Sequence, residues 1–406
     1  MAELNPPPAR ALLLEGIHPL AVERLRSGGL EVDLLPGSLS EEELVERLEG
    51  VSVLGIRSKT QLTRKVIEAA EDLAVVGTFC IGTNQVDLGA CLDRAIPVFN
   101  APYSNTRSVV ELALGQIIIL LRNVLQKSSL LHRGEWYKSS GTAREVRGKC
   151  LGIVGYGNIG AQLSVLAEAL GMEVCYYDVE EKLALGNARP CRTLDELLAR
   201  ADVVSVHVDG RPRNRELFGT REFGAMKDGA VFINLSRGFV VDLEALREAL
   251  ESGKLRSAAV DVFPVEPRRD GEAFHSPLRG MDQVLLTPHI GGSTEEAQEN
   301  IGAFVPDKIL NYLEMGSTNL SVNFPNLQLP ELRGAHRVAH IHENVPGILA
   351  QINQVLARRD MNVSGQYLKT NDRLGYVITD VGRDYDAAVV QELEAIPRTM
   401  RVRVLY

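Results

Sequence analysis

Three polar side chains in the second half of the chain each follow an apolar run. Arg237 lies in Asn234-Leu-Ser-Arg-Gly238, Glu266 in Asp261-Val-Phe-Pro-Val-Glu-Pro267, and His289 in Thr287-Pro-His-Ile-Gly-Gly292. An imidazole titrates near neutrality and can take a proton from a hydroxyl. A carboxylate beside it fixes the tautomer and stabilises the imidazolium. A guanidinium holds a substrate carboxylate bidentately and polarises a forming carbonyl. The set suits a secondary alcohol next to a carboxylate. Singly, each has an ordinary use: Arg237 a contact to an anion at a helix start, Glu266 a surface turn, His289 a capped loop. Three such residues ending strands of one sheet are harder to assign to accident.

A hydride acceptor is implied upstream. Lys149 to Asp178 reads as strand, glycine turn, helix, strand, acid. In Gly155-Tyr156-Gly157-Asn158-Ile159-Gly160, Gly155 permits the tight turn, Gly157 lets backbone approach a pyrophosphate, and Gly160 packs helix on strand. The helix start then offers N–H groups to phosphate. Asp178, 23 residues after Gly155, has the spacing of the acid that binds the adenosine ribose. Its charge, with Glu180 and Glu181 nearby, repels a 2′-phosphate, so the expected cofactor is NAD rather than NADP.

A basic turn, Arg57-Ser58-Lys59, follows the apolar run Val51–Ile56. Ligands of open α/β sheets bind beyond the carboxyl ends of strands, and this turn suits a phosphate or carboxylate. A solvated turn explains it equally well. Gly77 to Asp87 forms a glycine-bounded loop able to wrap a small ligand. Asn105, Arg107 and Ser108 open an apolar segment read as one long helix, Ser104 to Leu125. Lys138 lies two residues after Trp136, the only tryptophan.

Around these motifs, apolar strands alternate with helical segments from residue 10 to residue 313, which predicts parallel sheets covered on both faces. The 406 residues suffice for two or three domains. The apolar fraction of 45% and charged fraction of 24% are those of a globular protein. A net charge of −9 argues against nucleic acid as the main partner. No apolar run reaches the roughly 20 residues that span a bilayer. The N-terminus lacks a basic-then-apolar secretion signal. Five cysteines without CxxC spacing fit a reducing compartment, the cytoplasm. Cys80, Cys150 and Cys175 read as buried fillers.

Beyond a linker at residues 328–335, the order is βαββαβ, the ferredoxin-like pattern, read as a small unit detached from the active site. Its histidines His336, His340 and His342 alternate onto one strand face. A metal could use them, but no cysteine or carboxylate cluster accompanies them, and no metal is expected.

The motifs GYGNIG, NLSRG, DVFPVEP and LLTPHIGGST resemble the D-2-hydroxyacid dehydrogenase family. VNFPN and AHRVAHIHENVPGILAQIN resemble its branch with a C-terminal ACT domain. The resemblance implies a Rossmann nucleotide domain (105–291) inserted in a discontinuous, flavodoxin-like substrate domain (1–104 and 292–333), with an ACT domain at 334–406. It implies His289 as acid/base, Glu266 as its partner and Arg237 as substrate orienter. Around NAD it expects Gly155, Tyr156, Gly157, Asn158, Ile159, Gly160, Asp178, His207, Val208, Leu235, Ser236, Arg237, Asp261, His289, Gly291 and Gly292. Arg57, Ser58, Lys59, Asn105 and Lys138 would serve the substrate, Lys138 in a neighbouring subunit. The implied reaction is oxidation of 3-phospho-D-glycerate to 3-phosphohydroxypyruvate in a homotetramer, without nucleic-acid or membrane partners. L-serine would inhibit it, bound by His342, Asn344 and Asn362. The hinge departs from the family's two adjacent glycines: it is Gly334-Ala335, and alanine restricts the backbone. The alternatives are another 2-hydroxy acid, such as 2-hydroxyglutarate, or a non-catalytic NAD- and serine-sensing regulator.

Overall fold

Runs of valine, leucine and isoleucine form the strands, because both faces of each parallel sheet are covered by helices. The computed structural model describes residues 9–267, 271–330, 336–382 and 387–405. The chain divides into two units, Met1–Ser104 with Gln298–Tyr406, and Asn105–Ala297.

In the first unit, β1 (Arg10–Leu13), β2 (Glu31–Leu34), β3 (Val51–Ile56), β4 (Val75–Thr78) and β5 (Val98–Phe99) form a parallel sheet in the order β2-β1-β3-β4-β5. Alternate residues face opposite layers. Leu13, Val53 and Val75 pack with Ala21, Leu25, Ile301, Val305 and Ile309. Leu12, Leu54 and Val76 pack with Leu44, Val66, Ile67 and Cys91. The capping box expected at Ser40 is present: its hydroxyl accepts the Glu43 N–H, and Glu43 accepts the Ser40 N–H at 2.8 Å.

The second unit holds β6 (Cys150–Val154), β7 (Glu173–Tyr177), β8 (Arg189–Pro190), β9 (Val203–Val206), β10 (Ala230–Asn234), β11 (Leu255–Val260) and β12 (Val284–Leu286). They form a seven-stranded sheet ordered β12-β11-β10-β9-β6-β7-β8, parallel throughout. The sequence places β11 three residues too late. Its end at Val260 leaves Asp261 in the loop beyond. The single helix expected from Ser104 to Leu125 is two, Thr106–Leu121 and Val124–His132, bent by 67°. The break falls at Asn123, in left-handed backbone (φ 53°) that asparagine tolerates better than most residues. Among the described residues no single helix is long and apolar enough to cross a membrane.

The C-terminal strands β13 (His336–Glu343), β14 (Val363–Thr370), β15 (Leu374–Val381) and β16 (Thr399–Val404) form an antiparallel sheet ordered β14-β15-β13-β16. Helices Ile348–Arg358 and Ala387–Glu394 cover one face through Val338, Ile352, Val377 and Leu393. The sheet packs against the rest of the first unit. Ala339, Ile341, Tyr376 and Ile378 on its other face join Val305, Ile309, Tyr312 and Phe324 in the first unit's core. Arg337, 0% exposed, bonds Asp380 through two nitrogens at 2.6 and 2.7 Å. It also donates to Met315 O at 3.1 Å, closing the end of helix Glu295–Met315. The Gly334-Ala335 hinge lies outside the described residues. The five cysteines are free thiols; Cys150 and Cys175 are buried as expected, whereas Cys80 is half-buried.

Candidate active site

Arg237, Glu266 and His289 follow β10, β11 and β12, three adjacent strands of the second unit's sheet. Each comes from a turn with its own internal support. At Arg237, buried Asn234 is the organiser. Its Oδ1 accepts the Ser236 N–H at 3.0 Å and hydroxyl at 2.7 Å, and its Nδ2 donates to Arg237 O at 3.1 Å. Gly238 lets this turn lie against the next strand's loop, since a Cβ there would fall 1.9 Å from the Phe263 carbonyl carbon. Three residues on, Glu266 Oε1 accepts the Phe263 N–H at 3.0 Å.

His289 Nδ1 meets Glu266 Oε2 at 2.8 Å. This leaves Nε2 as the nitrogen available to a reactant. The hydrogen bond and charge of Glu266 raise the imidazole above its ordinary value, against the opposing effect of burial. Burial pushes the Glu266 carboxyl up, but the bond and charge of His289, with the Phe263 N–H and the Arg237 charge, together outweigh it, and the net direction is down. His289 itself sits in left-handed backbone, φ 55°, uncommon for a residue with a side chain.

Asp261 enforces that conformation. Its Oδ1 accepts from Thr287 Oγ1 at 2.6 Å and Ile290 N at 2.9 Å, and its Oδ2 from Gly291 N at 2.8 Å. The bonds bracket His289 on both sides. Burial raises this carboxyl, and the Thr287, Ile290 and Gly291 donors offset part of the effect. In this structure Asp261 thus serves the His289 loop. Gly291 and Gly292 follow. A Cβ on Gly292 would meet Asn105 Nδ2 at 2.1 Å, so Asn105 packs directly on this loop. Asn105 Oδ1 is buried without a partner.

The glycine turn lies between β6 and helix Asn158–Ala169. Gly155 has φ 92°, and a Cβ there would meet His207 O at 2.6 Å; one on Gly160 would meet Gly155 O at 2.4 Å. Gly157 differs: nothing lies within 4 Å of its missing Cβ. The helix has no side-chain cap at that residue, so no capping side chain occupies its first N–H groups. Asp178 accepts the Tyr156 N–H at 2.8 Å and the Glu180 N–H at 3.0 Å. It therefore ties the glycine turn to the end of β7 and keeps further lone pairs for ribose hydroxyls. Tyr156 contributes only backbone to this edge. Its buried ring stacks on Tyr176 at 3.8 Å, and its hydroxyl meets Ser164 at 2.7 Å. Asn158 is exposed and Ile159 half-buried at the helix start. His207 bonds Ser205 at 2.8 Å through Nε2, while its Nδ1 is shut from solvent without a partner. Burial lowers this imidazole to about 4 and keeps it neutral. Val208 follows it at the glycine turn, and Leu235 and Ser236 are buried in the Arg237 turn. An open helix start, a glycine cradle, an acid at the next strand end and an orphaned polar nitrogen together fit NAD.

The remaining candidates belong to other elements. Arg57 is half-buried, with Ser58 and Lys59 exposed, after β3 in the first unit. Lys138 occupies an exposed stretch beside Trp136, 78% exposed. In the C-terminal sheet, buried His342 bonds Glu343 O through Nδ1 at 2.7 Å and leaves Nε2 buried without a partner. It lies over Gly375, where a Cβ would be 2.2 Å from its ring. Exposed Asn344 donates to Asn371 O at 2.7 Å, and Asn362 is exposed just before β14. His340 is bonded to Thr399 at 2.8 Å, and burial lowers it to about 4. Among the described residues no three His, Cys, Asp or Glu side chains converge as a metal site. The sequence reading missed Asn234 and the loop-holding role of Asp261; their only signals were a polar residue closing a buried strand and a lone acid after one.

Comparison with known proteins adds an independent line. Residues 114–291 match the model of the D-isomer specific 2-hydroxyacid dehydrogenase NAD binding domain, and residues 338–401 that of the AHAS small subunit-like ACT domain. The D-3-phosphoglycerate dehydrogenase of Haemophilus influenzae is 52% identical over 396 residues, 97% of each chain. That of Escherichia coli K12 is 50% identical over 398 residues, again 97% of each. Among solved structures, D-2-hydroxyisocaproate dehydrogenase superposes with a TM-score of 0.70 at 25% identity, covering 77% of this chain and 99% of its own. With a nicotinamide-type cradle, an Arg–Glu–His edge and relatives that match from end to end, the chain belongs to the D-3-phosphoglycerate dehydrogenase family of D-isomer specific 2-hydroxyacid dehydrogenases.

Proposed function

We propose that the chain oxidises 3-phospho-D-glycerate to 3-phosphohydroxypyruvate with NAD, the entry step of phosphorylated serine synthesis, under feedback from L-serine. The 2.8 Å pair of His289 and Glu266, on the edge that carries the glycine turn, is the observation that carries this reading. Gly155, Gly157, Gly160 and the helix start hold the pyrophosphate, and Asp178 the ribose. When bound, NAD supplies the hydride acceptor. His289, neutral, takes the hydroxyl proton on Nε2, and Glu266 stabilises the imidazolium that results. Arg237 orients the substrate carboxylate and polarises the oxygen as it becomes a carbonyl. Arg57, Ser58 and Lys59 take the phosphate, with Asn105 in support and Lys138 acting in a neighbouring subunit of a tetramer. His342, Asn344 and Asn362 bind serine, the amino acid that an ACT domain in this branch would sense. The free thiols and the curated relatives support a cytoplasmic setting.

Initial rates of NADH formation over a panel of 2-hydroxy acids, with and without serine, test this. The expected outcome is strong preference for 3-phosphoglycerate and inhibition by serine. Equal rates on phosphorylated and unphosphorylated acids would remove the substrate assignment.

A further inference from the structure

The basic turn after β3 is built around a carboxylate. Glu15 lies two residues after β1, is 9% exposed, and has left-handed backbone at φ 64°. Its Oε1 accepts the N–H of Arg57 at 3.2 Å and of Thr60 at 2.8 Å; its Oε2 accepts the N–H of Lys59 at 2.9 Å. Its own carbonyl accepts from Arg57 Nη1 at 3.4 Å. From the other side, buried Gln85 donates to Arg57 O and to Gly82 O. The turn is clamped at both its donors and its acceptor.

Successive backbone N–H groups in a turn make an anion-binding concavity. Here an internal carboxylate already fills it. An incoming anion cannot use those three amides and must be met by side chains, of which Ser58 and Lys59 are exposed and Arg57 half-buried. An acid in an anion-binding turn would be counterproductive if it faced the ligand. Its charge is instead spread over three amide donors, and its backbone is held in a conformation uncommon for a residue with a side chain. Such a conformation persists where the surroundings over-determine it.

We infer that Glu15 is the positioning residue of the substrate-anion turn: by occupying its amides, it fixes where Arg57 and Lys59 present their charges and leaves phosphate recognition to those side chains. The inference rests on the assignment of Arg57 and Lys59 to the substrate phosphate.

Glu15→Gln is the test. The amide keeps one oxygen for Arg57 and Thr60 but turns an NH2 group toward the Lys59 N–H, so the turn shifts without losing its packing. The KM for 3-phosphoglycerate should rise about tenfold, the scale of one misaligned hydrogen bond to a charged group. The saturating rate and the KM for NAD should stay within about twofold. Glu15→Asp, which keeps both oxygens one methylene further back, should give a smaller rise. Arg57→Ala is the control. If Arg57→Ala raises the KM and Glu15→Gln does not, the role of Glu15 is refuted alone. If Arg57→Ala leaves the KM unchanged, the phosphate assignment falls and takes the Glu15 role with it. If Glu15→Gln lowers the rate and the thermal midpoint and raises both KM values together, Glu15 is merely structural and the inference fails.

Discussion

His289 and Glu266 form a matched pair whose shifts run in opposite directions, the imidazole up and the carboxyl down. Oxidation needs the neutral imidazole, so the rate should rise with pH along a limb set by His289. Because Glu266 raises that group, the limb lies above the ordinary imidazole value of about 6.5. Glu266→Gln removes the cause. The limb should then move to lower pH, while the saturating rate falls by about a hundredfold through loss of imidazolium stabilisation. A pH profile of NADH formation for both proteins checks direction and size together. The residue types here were legible in the sequence, because an arginine, an acid and a histidine after apolar runs have few joint uses. The supports were not. Nothing in DVFPVEP announces that Asp261 bonds the loop 26 to 30 residues further on, since that depends on β11 and β12 lying side by side.

Elements place those residues. Strand and helix types followed from hydrophobic period, and the glycine turn from its spacing. Boundaries moved where a local competitor won: Asn123 broke a helix that apolar period alone would have continued, and β11 began early at Leu255. The larger departure is the C-terminal sheet. Its order was readable as βαββαβ, but its docking was not, because the apolar residues of its second face look the same whether a neighbour is present or absent. Arg337 adds a polar contact to that apolar docking, a fully buried guanidinium that donates to Met315 O at 3.1 Å. Asp380→Ala removes the carboxylate that bonds this guanidinium through two nitrogens and should cost about 3–5 kcal/mol. Replacing both, with Arg337→Met and Asp380→Leu, should recover most of it. Denaturant midpoints of the three proteins, compared at constant m-value, decide this.

At the scale of the whole molecule, two parallel-sheet units and an antiparallel regulatory sheet share one chain, and the relatives match it over the same span. The central claim is that the imidazole of residue 289 moves the proton when 3-phosphoglycerate is oxidised. The most direct measurement is the saturating rate of NADH formation from 3-phosphoglycerate by the full chain and by His289→Asn, with NAD affinity measured in parallel. The account predicts a fall of about 10²–10⁴ in the rate with NAD affinity retained. Full turnover by His289→Asn would contradict it.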